Sequence, residues 1–330
     1  MERAVSLAIA LYDGIGDVGG RLSAELLGLE RLFGAGELTE MIRRGRELAQ
    51  TALSIGEGGR AAAILTRLAS AAEWQGKPAL AESLLEQGEA LAVQNGLRST
   101  LLLARFYRLR LHWMRGEFEA VESGARDVVS DAIEEGDGNL ALATLRLLGE
   151  TLMEEGRFAD ADVPLAKALE ASEASGDRWS RTELLAFRAR CAAELGDIVA
   201  AERLLSAAEE MLRQSDLAGR SVFDTALGTV RRLEGRLEEA EAAFRRAVDL
   251  IRSTEYWWWS ASAVPLVELL VEVGRREEAA ALFIDLEQVF AATGYGLREQ
   301  ERERLRRELL SRPAVSLSSA GKRRRAPTKT

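Results

Sequence analysis

Seven glycines recur along the chain at almost constant spacing, and this regularity constrains the fold more than any other feature. Successive members lie 40, 40, 40, 40, 39 and 39 residues apart. They are Gly36, Gly76, Gly116, Gly156, Gly196, Gly235 and Gly274. An internal period of this length indicates stacked structural repeats, each of which buries its hydrophobic face only against its neighbours. The 330 residues therefore need not be divided into two conventional domains, although length alone suggests it.

The residues around each glycine have the spacing of amphipathic helices. Near Gly156, apolar residues recur three and four positions apart: Leu145, Leu148 and Leu152 before it, and Phe158, Ala161, Leu165 and Ala168 after it. Such spacing places side chains on one face of a helix. Leu, Ala, Glu and Arg dominate the composition, which also favours helices over strands. Each unit is therefore predicted to be two helices joined by a tight turn, with glycine in a left-handed conformation.

Two positions at fixed distances beyond each glycine carry side chains of characteristic size. The side chain at the nearer position is small or medium, and that at the farther position is mostly large. Five positions beyond the glycines stand Met41, Ala81, Val121, Ala161, Ala201, Ala240 and Ala279. Nine positions beyond stand, among others, Leu85, Leu165, Leu205, Phe244 and Phe283. This pattern resembles the tetratricopeptide repeat, and the period near 40 is similar to the long variant in MalT-like bacterial regulators and in the C-terminal arms of ATPase-linked adenylate/guanylate cyclases. The resemblance covers roughly residues 1–310 and implies an all-α, right-handed solenoid of antiparallel helix pairs.

Two tryptophans add to this resemblance. Trp179 and Trp257 each lie 17 residues before a repeat glycine, Gly196 and Gly274 respectively. Their surroundings resemble a Trp-containing helix start in the same cyclase and regulator arms. The interpretation we favour is structural, in which both indoles pack between adjacent repeats, because buried aromatic side chains dominate core energetics.

The repeat register predicts how the chain is organised. Residues 1–20 are expected to be a half-repeat, with a second helix only (2–13), and a loop. Residues 21–297 are expected to form seven helix-pair repeats, 298–312 a capping helix, and 313–330 a disordered basic tail. A half-repeat suggests the arm of a longer protein, and the resemblance leaves open whether an effector such as a cyclase or ATPase lies upstream. The chain itself contains no Gly-x-x-x-x-Gly-Lys-Ser/Thr phosphate loop.

The charge distribution, the single cysteine and the lack of a long apolar run limit the classes of function open to this chain. The net charge is −9, but residues 298–330 carry 11 Lys/Arg against 4 Glu, so the preceding body is strongly acidic. An acidic body is a poor nucleic-acid surface, and we interpret Lys322 to Arg325 as a solubilising tail. The single cysteine, the lack of a 20-residue apolar run and the lack of a signal peptide favour a cytoplasmic protein without a membrane span.

No motif makes a convincing catalytic or cofactor site. Residues 14–19 match the dinucleotide-binding glycine pattern, but a predicted helix precedes them where that chemistry needs a strand. Cys191 and the single histidine, His112, are two repeats apart and are expected to pack in helices. The many adjacent carboxylates, such as Glu154 and Glu155, are expected to be solvated charge. We therefore predict no catalytic residues, no cofactor and no metal.

One set of residues is a candidate partner site. The first helices of such an array line its concave face, and their inward positions form a cationic strip with aromatic residues. The strip comprises Phe106, Arg110, Trp113, Arg146, Arg190 and Arg232. Guanidinium groups and aromatic faces suit peptides that carry carboxylates, or a polar ligand. The alternative is that these arginines pair with nearby Glu150 and Glu194.

The sequence thus predicts a non-catalytic scaffold that binds a protein or peptide partner in a concave groove. The resemblance implies that it is the regulatory arm of a bacterial signalling or transcription-regulatory protein. The alternative is a small-molecule sensor whose curvature changes when a ligand binds. An open, extended groove favours the scaffold, whereas a closed pocket surrounded by polar groups favours the sensor.

Overall fold

The computed structural model of the chain describes residues 2–177, 179–296 and 298–310, which form 16 helices and no strand. The helices are α1 Glu2–Ile15, α2 Val18–Ala35, α3 Leu38–Ser54, α4 Gly58–Trp74, α5 Pro78–Gln94, α6 Arg98–Met114, α7 Phe118–Glu134, α8 Gly138–Glu154, α9 Phe158–Ser175, α10 Trp179–Glu194, α11 Ile198–Glu209, α12 Leu217–Leu233, α13 Leu237–Arg252, α14 Trp259–Glu272, α15 Arg276–Thr293 and α16 Glu299–Leu310. None of these helices combines the length and the hydrophobicity needed to cross a membrane.

Local sequence signals explain where the helices begin and end. The Asp137 side chain caps α8 by accepting a hydrogen bond from the Leu140 amide at 3.0 Å. Gly156, at φ 73°, ends the same helix, and the following Arg157 amide donates to the Leu152 carbonyl at 2.9 Å. This bond satisfies one of the carbonyls that a helix C-terminus leaves without a partner. The predicted helix–turn–helix unit is therefore confirmed.

Consecutive helices pack as antiparallel pairs into an all-α solenoid, as predicted. The pairs run from α2 and α3 to α14 and α15, with α1 against α2 and α16 against α15. In the α8–α9 pair, Leu147, Ala161 and Leu165 are fully buried. Small residues such as Ala161 allow the paired helices to approach closely, and large neighbours such as Leu165 fill the space between them.

The structure shifts the first predicted boundary. Helix α1 extends to Ile15, and α2 begins at Val18 rather than at residue 21. The reason is Asp17, whose carboxylate caps α2 by accepting from the Gly20 amide at 2.9 Å. The division of the chain into repeats otherwise stays a prediction, and the predicted tail at 313–330 lies outside the described residues.

The last repeats return to the first ones, so the solenoid closes on itself. The largest hydrophobic cluster contains buried residues from both ends of the chain, including Leu32, Leu68, Trp257 and Phe290. Two smaller clusters lie under the middle helices. The region where the ends meet borders an interior cavity, and it is the part of the fold that positions the candidate site.

Candidate functional site

An interior cavity of about 140 Å³ lies on the concave side of the solenoid. Its wall is built mainly by first helices of successive pairs, from α4 to α14, together with the loops before α14 and α16. The charged lining residues are Arg110, Arg146, Glu150, Glu154, Glu183, Arg190 and Arg298. The aromatic ones are Trp74, Trp113, Phe187, Trp257 and Trp258. One concave space therefore combines several cations with aromatic surface.

The loop at residues 253–258, which we call the closing segment, seals the solenoid against its first two repeats. The Glu255 amide donates to the Gly36 carbonyl at 3.1 Å, and the Trp257 amide donates to the Trp74 carbonyl at 3.0 Å. The Tyr256 hydroxyl donates to the Phe33 carbonyl. The Gly36 and Trp74 carbonyls lie at the C-terminal ends of α2 and α4, where the helix itself offers no donor, whereas the Phe33 carbonyl also accepts from the Gly36 amide at 3.0 Å. The closing segment thus completes the hydrogen bonding of two distant helices.

Aromatic packing holds the same junction together. The Trp74 ring lies 5.1 Å from Tyr256 and 6.0 Å from Trp258, in edge-on geometry, and 4.8 Å from Phe33. On the other side, the Arg110 guanidinium carbon lies 5.7 Å from the centre of the Trp74 ring. Edge-on aromatic pairs and cation–π contacts each stabilise beyond the area that they bury. Trp74 therefore links the closing segment to the cationic wall of the cavity.

The loop before α16 closes the next two repeats. The Gly296 amide donates to the Met114 carbonyl, the last residue of α6, at 2.9 Å. The Arg298 Nε donates to the Glu154 carboxylate, at the end of α8, at 2.8 Å. Burial acts to raise the pKa of Glu154, but the charge of Arg298 and its hydrogen bonds outweigh burial and hold the pKa below its usual value. Arg298 adopts φ 52°, the one described non-glycine residue with a left-handed backbone.

The structure brings together four of the six residues of the predicted strip. Arg110, Trp113, Arg146 and Arg190 all line the cavity. Phe106 instead lies in the hydrophobic core, where its ring packs 5.4 Å from that of Tyr107.

The sixth residue of the strip lies elsewhere. Arg232 lines an adjacent cleft, and its guanidinium donates to Glu268 at 3.2 Å and to Glu272 at 2.8 Å. It is therefore separated from the cavity and already holds two carboxylates. The strip is thus not one continuous surface.

Two arginines of the predicted strip that line the cavity are engaged in ion pairs, as is Arg298. Arg110 and Glu73 form a bidentate pair at 2.9 and 3.0 Å, in which Glu73 is only 1% exposed. Arg146 contacts Glu150 at 2.7 Å and Glu183 at 3.2 Å. The pairing with Glu150 is the one that the sequence offered as the alternative to a binding role. These arginines therefore shape and polarise the wall while they are already neutralised by neighbours.

Arg190 is different. Among the residues described here, no carboxylate lies within 4.0 Å of its guanidinium and no side chain or carbonyl accepts its hydrogen bonds. Burial and the positive charge of Arg298 lower its pKa, and the charges of Glu154 and Glu194 oppose this only in part. A partly buried cation without a close counter-ion is energetically unfavourable unless a ligand neutralises it. Arg190 is therefore the strongest candidate anchor in the cavity.

Three tryptophans of the wall carry unused hydrogen-bond donors. The indole N–H groups of Trp113, Trp257 and Trp258 are buried and have no acceptor in the described part of the chain. Trp113 and Trp257 are 8% and 5% exposed. Buried polar groups normally find partners, but these three nitrogen atoms are covered by protein and do not face the cavity, so the tryptophans contribute aromatic surface to it rather than donors.

Glu183 is the acidic group of the cavity whose ionised form is most disfavoured by its surroundings. Burial raises the pKa of Glu183 to about 7, and the negative charges of Asp216 and Glu150 add to this effect. Arg146 and, more weakly, Arg110 oppose it. The carboxyl group is therefore partly protonated at neutral pH, and the net charge of the cavity varies with pH in this range.

Three further features that the sequence singled out lie outside the cavity in the described part of the chain. Cys191 is fully buried, which raises the pKa of its thiol to about 12. His112 contacts Glu117 at the turn between α6 and α7. In the described residues, no three His, Cys, Asp or Glu side chains are grouped to hold a metal ion. The glycine motif at 14–19 spans the end of α1 and the start of α2 and follows a helix, as predicted.

Sequence reasoning missed the residues that close the cavity. A second glycine series, Gly16, Gly56, Gly96, Gly136 and Gly176, also recurs every 40 residues and marks the loops between repeats. It is interrupted at Asp216 and Tyr256, which stand 40 and 80 residues after Gly176. The second interruption is the closing segment. The loss of a glycine beside a run of aromatic residues was therefore the available signal.

With this geometry, the chain is a tetratricopeptide-like helical repeat protein. No protein-family model matches the chain, and no curated protein matches it in sequence. Solved structures do share its fold. Aspartyl phosphate phosphatase F from Bacillus subtilis is 18% identical, with a TM-score of 0.62 over 81% of this chain and 71% of that chain.

A second solved structure with this fold is a chain of the APC/C hetero-tetramer Cut9–Hcn1. It is 12% identical, with a TM-score of 0.58 over 93% of this chain. The present chain covers 52% of that chain, so it spans about half the length of this relative. At these identities the likeness establishes the helical repeat fold.

Proposed function

We propose that this chain is a non-catalytic interaction module that binds a carboxylate-bearing segment of a partner protein at the interior cavity. Arg190 carries this proposal, because its guanidinium lacks a carboxylate partner within the described chain. A charge-assisted hydrogen bond to a carboxylate contributes about 1.5–3 kcal/mol. The Cut9–Hcn1 relative belongs to a hetero-tetramer, which supports an interaction role for the same fold. In this proposal the module is the regulatory arm of a bacterial signalling or transcription-regulatory protein.

The closed geometry limits what the partner inserts. The closing segment and the loop before α16 lie against the early repeats, so the concave face is not an open groove along its length. A cavity of about 140 Å³ accommodates one side chain or a chain end rather than a helix. The partner therefore contributes a short anchor instead of a long amphipathic segment.

The chemistry around the cavity supports binding rather than catalysis. Nucleophilic catalysis needs a thiol or hydroxyl activated by a nearby base or by a lowered pKa. The pKa of Cys191 is instead raised to about 12, which keeps the thiol protonated at neutral pH. The ionisable side chains that line the cavity are arginines and glutamates, and Arg110, Arg146 and Arg298 are held in ion pairs.

A second candidate function is ligand sensing, which a concave face without an open, extended groove favours, and one further observation supports it. Trp257 and Trp258 line the cavity and also belong to the closing segment that seals the solenoid. A ligand that contacts these residues and Arg190 together binds the closed arrangement better than an open one. It therefore shifts the population towards the closed solenoid. The surface offered to a partner then depends on the ligand.

Peptide selection tests the first proposal directly. Peptides are selected from a random library displayed with free C-termini, and their affinities are measured for the wild type, Arg190→Gln and Arg203→Gln. Arg203 is an exposed arginine of α11 and serves as the matched control. We expect the selected peptides to lose about tenfold or more in affinity for Arg190→Gln and nothing for Arg203→Gln. Equal affinity for all three proteins contradicts binding at the cavity.

A further inference from the structure

We infer that the cavity binds a single aromatic ring that carries one carboxylate, with the ring against the tryptophans and the carboxylate on Arg190. This inference rests on the proposed function and names the chemistry of the anchor that the cavity accepts. It follows from four properties of the cavity, which are its volume, its apolar wall, its charge balance and the unpaired guanidinium of Arg190.

The volume of the cavity and its apolar lining favour a ligand with a single aromatic ring. An apolar cavity of about 150 Å³ accommodates benzene, and the present cavity has about 140 Å³. Its apolar lining includes Met153, Phe187, Val222 and Pro265 in addition to the tryptophans. Aromatic rings gain from edge-on and offset contacts with such neighbours. A single ring therefore fits the space.

The balance of charges among the lining residues favours a ligand with one negative charge. Arg110, Arg146 and Arg298 are neutralised by Glu73, Glu150 and Glu154, respectively. Arg190 remains as one additional cation. Glu183, the remaining carboxyl group of the wall, contacts Arg146. It is largely neutral below pH 7 because burial raises its pKa to about 7. A monoanion balances the cavity, whereas a dianion such as a phosphate monoester leaves an excess of negative charge.

The unpaired guanidinium of Arg190 favours a carboxylate. Arg190 lines the cavity and is the donor that a ligand can reach there, because the indole N–H groups of Trp113, Trp257 and Trp258 are covered by protein atoms. A carboxylate accepts from several N–H groups of one guanidinium at once, whereas an amide or an amine brings further donors of its own. A buried donor opposite Arg190 would lack an acceptor, which disfavours amides and amines.

The position of Arg190 allows two sources of this chemistry. Arg190, Glu154 and Arg298 line both the cavity and the adjacent cleft, so Arg190 stands at the boundary between them. One source is a C-terminal aromatic residue of a peptide, with the ring in the cavity and the chain in the cleft. The cleft contains six glutamates against three arginines, so this peptide carries basic residues before its end. The other source is a free aromatic acid.

Calorimetric titration of the full chain tests the inference. The two active compounds are 3-phenylpropionate and the N-acetylated peptide Lys-Lys-Ala-Phe with a free carboxylate. Their controls are 3-phenylpropionamide, the same peptide as its amide, and butyrate, which lacks the ring. The proteins are the wild type, Arg190→Gln, Trp258→Phe and the exposed control Arg203→Gln.

We expect at least one of the two active compounds to bind at a single site. Its amide should bind about tenfold or more weakly, and butyrate should not be detected. Arg190→Gln should weaken binding to a similar extent, Trp258→Phe by a smaller factor, and Arg203→Gln not at all. Thermal melts establish that each variant is folded. Trp258→Phe replaces the indole by a smaller ring, so it tests the aromatic wall of the cavity independently of Arg190.

The outcomes separate this inference from the proposed function. Binding of the peptide supports both, and binding of the free acid alone supports the inference while it overturns the partner-segment proposal in favour of sensing. If selected acidic peptides bind through Arg190 but neither aromatic carboxylate does, the proposed function stands and the inference is wrong. Equal binding of an acid and its amide likewise overturns the inference.

Discussion

Thr39 and Glu255 are 216 positions apart in the chain, yet the Glu255 carboxylate accepts hydrogen bonds from both the backbone amide and the hydroxyl of Thr39, at 2.8 and 2.6 Å. Thr39 lies in the first turn of α3, whose own N-cap residue, Glu37, makes no side-chain capping bond. Glu255 therefore supplies the capping acceptor that Glu37 does not, and it adds to the negative charge of Glu40 in the first turn. One end of the solenoid caps a helix at the other end.

Glu255→Ala should remove this long-range cap. We expect a loss of about 1 kcal/mol in the free energy of unfolding, because capping side chains contribute about 0.5–2 kcal/mol. Hydrogen exchange should accelerate both at the Thr39 amide and in the closing segment. Glu209→Ala, an exposed residue at the end of α11, is the control and should change neither. Faster exchange at Thr39 alone would show that the cap does not hold the solenoid closed.

Gly296→Ala should open the second closing loop. A Cβ at this position lies 2.2 Å from the Arg115 carbonyl oxygen, a backbone atom that cannot yield without moving the end of α6. We expect a loss of about 1–3 kcal/mol, typical of overpacking, with faster exchange of the Gly296 segment. Gly138→Ala is the matched control, because a Cβ there meets nothing within 4 Å. Similar effects from both alanines would contradict the close approach.

Breaking the Arg110–Glu73 pair should lower the free energy of unfolding strongly, whereas replacing both residues should lower it little. Glu73→Gln leaves the buried guanidinium without its counter-charge, and we expect a loss of about 3–5 kcal/mol. Replacing both residues by methionine should cost far less, since no buried charge then remains. The exposed pair of Arg105 and Asp131 provides the comparison, and Asp131→Asn should cost about 0–1 kcal/mol. Urea denaturation measures all four proteins.

Stability should depend on pH through Glu183. Its pKa in the folded protein is about 7, against 4.5 for a free glutamate, so the stability that it contributes is complete below about pH 4.5 and is lost as the pH rises to about 7. Glu183→Gln does not ionise and avoids this loss. Above pH 7 the variant should be more stable than the wild type by about 3 kcal/mol, and the difference should vanish towards pH 4.5. A difference that does not vary with pH contradicts the raised pKa.

Much of this fold follows from the sequence, because each repeat is determined by local signals. Turn glycines such as Gly156 and small residues such as Ala161 define the helix pairs without reference to the rest of the chain. The inward positions of first helices then predict that Arg110, Arg146 and Arg190 share the concave side. Periodicity is sufficient for these statements, since each concerns only adjacent repeats.

The closure could not be predicted in the same way. It depends on the curvature that accumulates over several repeats, and small rotations at each interface decide which loop meets which turn. Nothing local in Glu255 or Gly296 indicates Thr39 or Arg115 as its neighbour. For the same reason, the pairing of Arg232 with Glu268 and Glu272, and the isolation of Arg190, needed the three-dimensional arrangement.

The contact between the two ends also determines whether repeats can be added to or removed from the array. An open solenoid behaves as a rod, to which units can be added or removed with little effect beyond the adjacent interfaces. Here the loop after α13 must arrive at the turn after α2, and the loop after α15 at the end of α6. Removal of a single 40-residue unit would bring the wrong loops to these positions. The number of units is therefore fixed by geometry, as it is in a ring.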